Sequence, residues 1–344
     1  MQLVSDEWKK RTGKIHGKIY LPNAEIKYDK IGTKGDFSSD ELKVISSKAF
    51  RRLAQKTQVY IFSDDHRRTR LTHSIEVATI ARLIAQNLNL NQQLAWISGL
   101  AHDFGHGPGG HASEDAFCEL LNGWHHADFS KELAISLNLS EPIIDAVHCH
   151  SWNKPEPHTQ EGLCVRLADR IAYVLHDLDD AIDANVIKKT DLPPEFNWII
   201  DITLAEAISI ITDDIVQATK KSGVICLSAS MGQFIDNLRS WLYDNVYTSN
   251  QTKITAETVK ISIKKLVNTL ASTKELTPKI VRWIAKITDR YFLVLVAKYH
   301  PEQYEQLLNV LELKPPFLPE IHLNYKKKFY SPSCPVPLPD ILRL

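Results

Sequence analysis

The stretch from Leu94 to His111 constrains this chain more than any other, because it forces a buried helix to end in a tight loop rich in acid/base groups. A largely apolar run, Leu94 to Leu100, delivers His102 and Asp103 side by side. Gly105, Gly107, Pro108, Gly109 and Gly110 then stop the helix and let backbone approach whatever lies against it, and His111 follows. Neutral imidazole nitrogen and carboxylate oxygen are ligands for a borderline or hard divalent cation. The stretch implies a metal-centred hydrolytic site whose remaining ligands come from elsewhere in the chain.

The histidines say where. Eleven of the fourteen fall between His66 and His176, which marks the first half as the chemical half. Charge gives no competing signal: 41 basic residues balance 41 acidic ones, so no global field points to nucleic acid or membrane. Cys118, Cys149, Cys164, Cys226 and Cys334 are odd in number and lack CxxC spacing, which excludes a thiolate zinc site and a disulfide framework and fits a reducing compartment. The N-terminus has no apolar signal core, and no later segment is long enough to span a bilayer. A soluble cytoplasmic protein is expected.

Apolar spacing predicts helices almost throughout. Leu71, Ile75, Ala78, Ile80, Ala81 and Ile84 mark a long one. Asn91 should cap the helix that runs to about Asp103, and Ser38 or Ser39 the first helix of the chain. Further helices are expected at 112–121, 130–137, 142–148, 161–183, 199–218, 231–247, 254–270 and 278–299. Short strands at Lys18–Leu21 and Ile26–Tyr28 could pair around Pro22-Asn23. The fold class is all-α. The expected organisation is a basic N-terminal arm (1–45), a catalytic core (46–190), a C-terminal helical lobe packed on it (191–311) and an extended proline-rich tail (312–344).

A mononuclear site needs about two further protein ligands, with positions left for water and substrate. His73 on the long helix and Asp169 on the helix from 161 complete a His…His-Asp…Asp set drawn from three helices. A lone histidine is more often a core or surface residue; the ordered set favours a functional reading. His73, His102, Asp103 and Asp169 match, in order and context, the metal ligands of the HD superfamily of phosphohydrolases. Ala49-Phe50-Arg51-Arg52-Leu53, Lys56-Thr57-Gln58-Val59 and Arg68-Thr69-Arg70-Leu71-Thr72-His73 resemble the opening signature of deoxyguanosine triphosphate triphosphohydrolases and related dNTPases. Gly99 to Pro108 and Ala168-Asp169-Arg170-Ile171-Ala172-Tyr173 with His176 to Asp180 resemble the middle signatures, and Ile287-Thr288-Asp289-Arg290-Tyr291 a late one.

The resemblance implies an HD-domain helical bundle that binds one divalent ion (Mn, Mg, Fe, Ni or Co) and hydrolyses a dNTP to deoxynucleoside and triphosphate. His111 is then the proton donor to the leaving oxygen, tuned by Glu114, and His126 meets the reacting phosphate. Arg70 lies one helical step from His73 and faces the same phosphate, while Arg170 meets the outer phosphates. Asp169, Tyr173 and Asp177 recur at i, i+4 and i+8, so Tyr173 would lie under the deoxyribose and Asp177 on the 3′-hydroxyl, with Gln58 also reading the sugar. His106, His148 and His150 are expected to be packing or surface residues, and Arg51, Arg52, Arg67 and Arg68 as much a solvated face as a binding one. One departure stands in the loop: Gly109 replaces an aromatic, which would loosen the pocket wall. Relatives of this kind form dimer-based tetramers or hexamers, so a homo-oligomer is implied.

Two other readings stand beside this one. An HD phosphohydrolase acting on nucleoside monophosphates or cyclic nucleotides would use the same ligands without the basic and sugar-reading set. A non-catalytic nucleotide or single-strand-binding module, or a single-stranded nucleic acid acting as regulator, is suggested by the basic arm and Lys326-Lys327-Lys328.

Overall fold

In a computed structural model of the chain, described over residues 26–59, 67–247, 250–271 and 273–311, the polypeptide is all-α. The helices are α1 (Ser38–Ser46), α2 (Lys48–Arg52), α3 (Arg70–Asn87), α4 (Gln92–Ala101), α5 (His111–Leu121), α6 (His126–Ser136), α7 (Glu141–Cys149) and α8 (Gln160–Asp183). After them come α9 (Asn197–Ile200), α10 (Leu204–Ser222), α11 (Ala229–Leu242), α12 (Asn250–Leu270), α13 (Thr277–Ile284), α14 (Asp289–Tyr299) and α15 (Pro301–Val310). The only β pairing among the described residues is two isolated bridges, Lys27 with Val224 and Thr57 with Thr69. The expected Ile26–Tyr28 segment therefore pairs with the residues just after α10; Lys18–Leu21, the basic residues before 26 and the proline-rich tail lie outside the described residues.

Local chemistry sets the helix starts. Thr69 opens α3 with a capping box: its hydroxyl accepts the Thr72 N–H while the Thr72 hydroxyl accepts the Thr69 N–H. Asn91 caps α4 as its sequence implied, accepting from the N–H groups of Gln93 and Leu94. Thr159 does the same for α8. Ser38 is not a cap but the first residue of α1, where its N–H and hydroxyl both donate to Asp36. Two long helices expected from periodicity are broken by caps that periodicity does not register. Thr203 starts α10 after the short α9, and Thr288 starts α14 where one helix was expected from 278 to 299.

Two buried apolar clusters form the core, and α3 and α4 belong to both. Val77, Ile80, Ala81 and Ile84 pack with α8, α10 and α11, while Ala78, Leu94, Ile97 and Leu100 pack with α5, α6, α12 and α14. At the α3–α4 crossing the helices meet at Gly99, where an added Cβ would lie 2.5 Å from the Ala78 Cα. This closeness brings His73 of α3 against the end of α4. Gly99→Ala should therefore cost about 1–3 kcal/mol through overpacking, read from the midpoint of urea unfolding; an unchanged midpoint would show that the crossing can relax.

Candidate metal centre

Three helices deliver the four expected ligands to one place. His102 caps the C-terminus of α4, and its Nδ1 donates to the Gly99 carbonyl at 2.7 Å, which turns Nε2 inward. That Nε2 has no hydrogen-bond partner among the described residues; Asp103 Oδ1 lies 3.5 Å and Asp169 Oδ1 3.6 Å away. His73 Nε2 stands 3.3 Å from the same Asp169 oxygen. His73, His102 and Asp103 are buried, and their ligand atoms lie within 4.8 Å of one another. Two imidazoles and two carboxylates in this arrangement fit a divalent cation. The local field agrees: burial disfavours an imidazolium at His102, yet Asp103 and Asp169 overcome it and raise its pKa to about 9.

Arg70, buried at the start of α3, donates to Asp103 Oδ2 at 2.5 Å and to the Gln58 carbonyl at 3.4 Å. It holds the ligand carboxylate as well as facing the centre. His106 Nε2 lies 3.3 Å from Asp103 Oδ1, and its ring stacks on His126 at 3.9 Å. Beyond the loop, Glu114 of α5 organises a histidine group. Its Oε2 lies 3.3 Å from His111 Nδ1, and its Oε1 accepts the His126 N–H at 2.9 Å and pairs with His126 Nδ1 at 3.1 Å. Burial opposes its charge, but His126 and His111 hold it ionised, well below the usual carboxylate range. His111 itself is exposed, on the open side of this group.

Along α8 the expected face is present. Asp169 and Tyr173 are half-buried, Asp177 is fully buried, and Arg170 lies 4.9 Å over the Trp152 ring. Burial pushes the Asp177 carboxyl up to about 8. Its Oδ2 accepts the hydroxyl of Tyr247, from the single π turn that follows α11, and Oδ1 has no partner among the described residues. Tyr247 stacks on Tyr173 with ring centroids 5.9 Å apart. Gln58 is buried beside Arg70 with Oε1 unpartnered among the described residues.

Several residues here had no assigned part in the sequence reading. His150, expected as packing, brings its ring 4.9 Å from His102 and its Nε2 3.2 Å from His126 Nε2; burial and its histidine neighbours push it down to about 3. Arg239 of α11 acts electrostatically on Arg170 and Tyr173. Arg68, expected as a solvated or binding cation, instead pairs with Glu76, Asp179 and Asp180 at 3.2, 3.0 and 2.5 Å and ties α3 to α8. Arg82, Gln93 and Trp96 line a separate, open cavity of about 390 Å³ with Glu41 and Thr79, away from the histidines.

The glycine loop is not loose. Gly109 and Gly110 adopt φ of 73° and 60°, a conformation glycine reaches without strain. Asp289, the first residue of α14, accepts the Gly109 N–H at 2.9 Å and both the N–H (2.8 Å) and hydroxyl of Thr57. At the loop's other end, buried Lys56 donates to the His106 and Ala285 carbonyls. Burial drives Lys56 and Asp289 toward their neutral forms. The wall that loses an aromatic at Gly109 is thus pinned from both ends by the segment before α3 and the start of α14.

Known proteins match this arrangement. Residues 70–174, which contain all four candidate ligands, match the HD domain family, so the class is an HD-domain phosphohydrolase. A deoxyguanosinetriphosphate triphosphohydrolase-like protein of Caldanaerobacter subterraneus subsp. tengcongensis is 34% identical over 289 residues, covering 77% of this chain and 85% of that protein. One from Clostridium perfringens strain 13 is 34% identical over 267 residues, covering 73% and 78%. The chain belongs to this deoxyguanosinetriphosphate triphosphohydrolase-like family. Among solved structures, a hypothetical protein from Aquifex aeolicus shares the fold, with a TM-score of 0.53 and 18% identity over 80% of this chain and 72% of that one. No helix among the described residues is long and apolar enough to cross a membrane.

Two outcomes follow from the geometry. Asp289→Ala leaves the buried N–H groups of Thr57 and Gly109 without an acceptor and should cost about 1–3 kcal/mol for each, measured by chemical unfolding; a neutral result would mean the loop is held otherwise. Asp177 stays protonated in the folded chain up to about 8 but ionises near ~4 when unfolded. Its contribution to stability is therefore full below the unfolded value and is lost as pH rises through about 8. The Tm of Asp177→Asn relative to the parent should climb across that window; a pH-independent difference would contradict the buried, raised carboxyl.

Proposed function

We propose that this protein hydrolyses deoxynucleoside triphosphates to a deoxynucleoside and inorganic triphosphate. The observation that carries the reading is the convergence of His73, His102, Asp103 and Asp169, with Arg70 on Asp103, inside a chain whose relatives are named deoxyguanosinetriphosphate triphosphohydrolase-like proteins. These four side chains would hold one divalent ion, of the Mn, Mg, Fe, Ni or Co kind. When bound, such an ion polarises the α-phosphate and lowers the pKa of a coordinated water.

The chain's own groups account for the rest of the reaction. Water oxygen bonds to the α-phosphorus and gives up a proton to solvent, the bond from phosphorus to the sugar 5′-oxygen breaks, and that oxygen takes a proton. His111 is the donor: it sits on the open side of the histidine group, and Glu114 holds its ring through Nδ1. His126, held by the same carboxylate, stands beside the reacting phosphate. Arg170 serves the outer phosphates, with Arg239 close by, since a guanidinium fork suits phosphate oxygens. The stacked Tyr173 and Tyr247 close the sugar side against a 2′-hydroxyl. Asp177 Oδ1 and Gln58 Oε1 are the buried polar atoms left for the sugar hydroxyl.

The test is a panel of all four dNTPs, alone and in pairs, across Mn²⁺, Mg²⁺ and Co²⁺, with products separated by ion-exchange chromatography. Triphosphate release that stops with EDTA and in His102→Ala or Asp103→Ala is the expected result, with kcat in His111→Ala down about 10²–10⁴-fold. Stepwise orthophosphate, or turnover only of monophosphates or cyclic nucleotides, would overturn the reading.

A further inference from the structure

The position of His111 is inherited from the backbone before it. Its side chain is 49% exposed, and α5, which it begins, starts from Gly110, a residue with no side chain to cap a helix. Gly110 caps through its backbone instead. Its carbonyl accepts the Ser113 hydroxyl at 2.8 Å and the Ser113 N–H at 3.2 Å. Where the Gly109-Gly110 backbone lies therefore decides where the His111 imidazole can reach.

Asp289 fixes that backbone from 180 positions along the chain. Its Oδ1 accepts the Gly109 N–H at 2.9 Å, and its Oδ2 accepts the Thr57 N–H at 2.8 Å together with the Thr57 hydroxyl. Thr57 in turn bridges Thr69, and the Lys56 carbonyl accepts the Arg70 N–H at 3.0 Å. One buried carboxylate thus ties the loop before His111 to the start of α3, the helix that carries Arg70 and His73. The fit is close. A Cβ added at Gly110 would lie 3.2 Å from Arg70 Nη2 and 3.6 Å from the Gln58 carbonyl oxygen. At the other end of the loop, Lys56 holds the His106 carbonyl and grips the Ala285 carbonyl at 2.7 Å, so the turn between α13 and α14 meets the loop at two points.

We propose that Asp289 is a positioning residue for proton transfer, which sets His111 where its proton reaches the leaving 5′-oxygen as the bond to phosphorus breaks. The proposal rests on His111 being the proton donor of the preceding reading. Without the carboxylate, the Gly109 N–H loses its acceptor and the loop shifts to find another. A displacement of about 1 Å in a reacting group can cost about 10²-fold in rate.

Leaving-group dependence in the full-length, Mn²⁺-loaded protein tests this. Steady-state kinetics are measured on the dNTP that the parent turns over fastest and on its analogue with sulfur in place of the bridging 5′-oxygen, whose thiolate leaves without a proton. Asp289→Ala should lower kcat on the dNTP about 10–10²-fold, with KM within about threefold of the parent. On the sulfur analogue its kcat should fall less than about threefold. His111→Ala should show the same preference, and the double variant should be within about threefold of His111→Ala alone on the dNTP, because both substitutions act on one step. Asp289→Asn, which keeps the shape and one accepting oxygen, should show a smaller loss of the same kind. If Asp289→Ala fails to fold by circular dichroism, Asp289→Asn decides by the same comparisons. Equal losses on the two substrates, losses that multiply in the double variant, or an unchanged kcat would overturn the proposal and leave His111 standing as the donor. A parent that turns over no dNTP, or a His111→Ala loss that sulfur does not relieve, would overturn the donor reading and this proposal with it.

Discussion

Two carboxylates, Asp103 and Asp169, each lie within 3.6 Å of the same buried imidazole nitrogen of His102. Burying two like charges at one point is costly unless a cation meets them, and the surrounding structure is arranged around that demand. Arg70 pairs with one oxygen of Asp103, and the His102 backbone bond turns its Nε2 toward the shared space. The α3–α4 crossing at Gly99 brings His73 in from the neighbouring helix.

Around that point the chain builds a rigid frame. The loop bearing His106 and Gly109 is tied by Lys56 and Asp289, which lie far apart in sequence and meet beside it. On the far side Arg68 locks α3 to α8 through three carboxylates. The groups proposed to do chemistry, His111 and Glu114, project from this frame on α5, whose first residue follows directly from the pinned loop. Rigid placement of an acid group within reach of the leaving oxygen is worth more to a hydrolase than the group's intrinsic strength.

Much of this was legible in the residues. Helical periodicity located the HD helices, Asn91 announced its own cap, and the order His73, His102-Asp103, Asp169 brought together residues up to 96 positions apart along the chain. The unread parts share a physical cause. The place of His150 beside His102 arises from a helix C-terminus turning its ring onto the α4 cap, a contact that apolar periodicity does not register. Asp289 and Lys56 stood inside recognisable motifs, but their partners are backbone groups of the glycine loop, and backbone leaves no mark in a side-chain pattern. Tyr247 reaches Asp177 only through a π turn that periodicity reads as a continuing helix. Gly109, read as a sign of a looser wall, is the residue whose N–H lets Asp289 fasten it.

The proposed chemistry needs a cation held by His73, His102, Asp103 and Asp169. Crystals of the Mn²⁺-loaded protein, with data collected on both sides of the manganese absorption edge, address that claim most directly. An anomalous peak within bonding distance of all four side chains is the predicted result. Anomalous density confined to other residues, with His102 Nε2 hydrogen-bonded to Asp169 in its place, would contradict it.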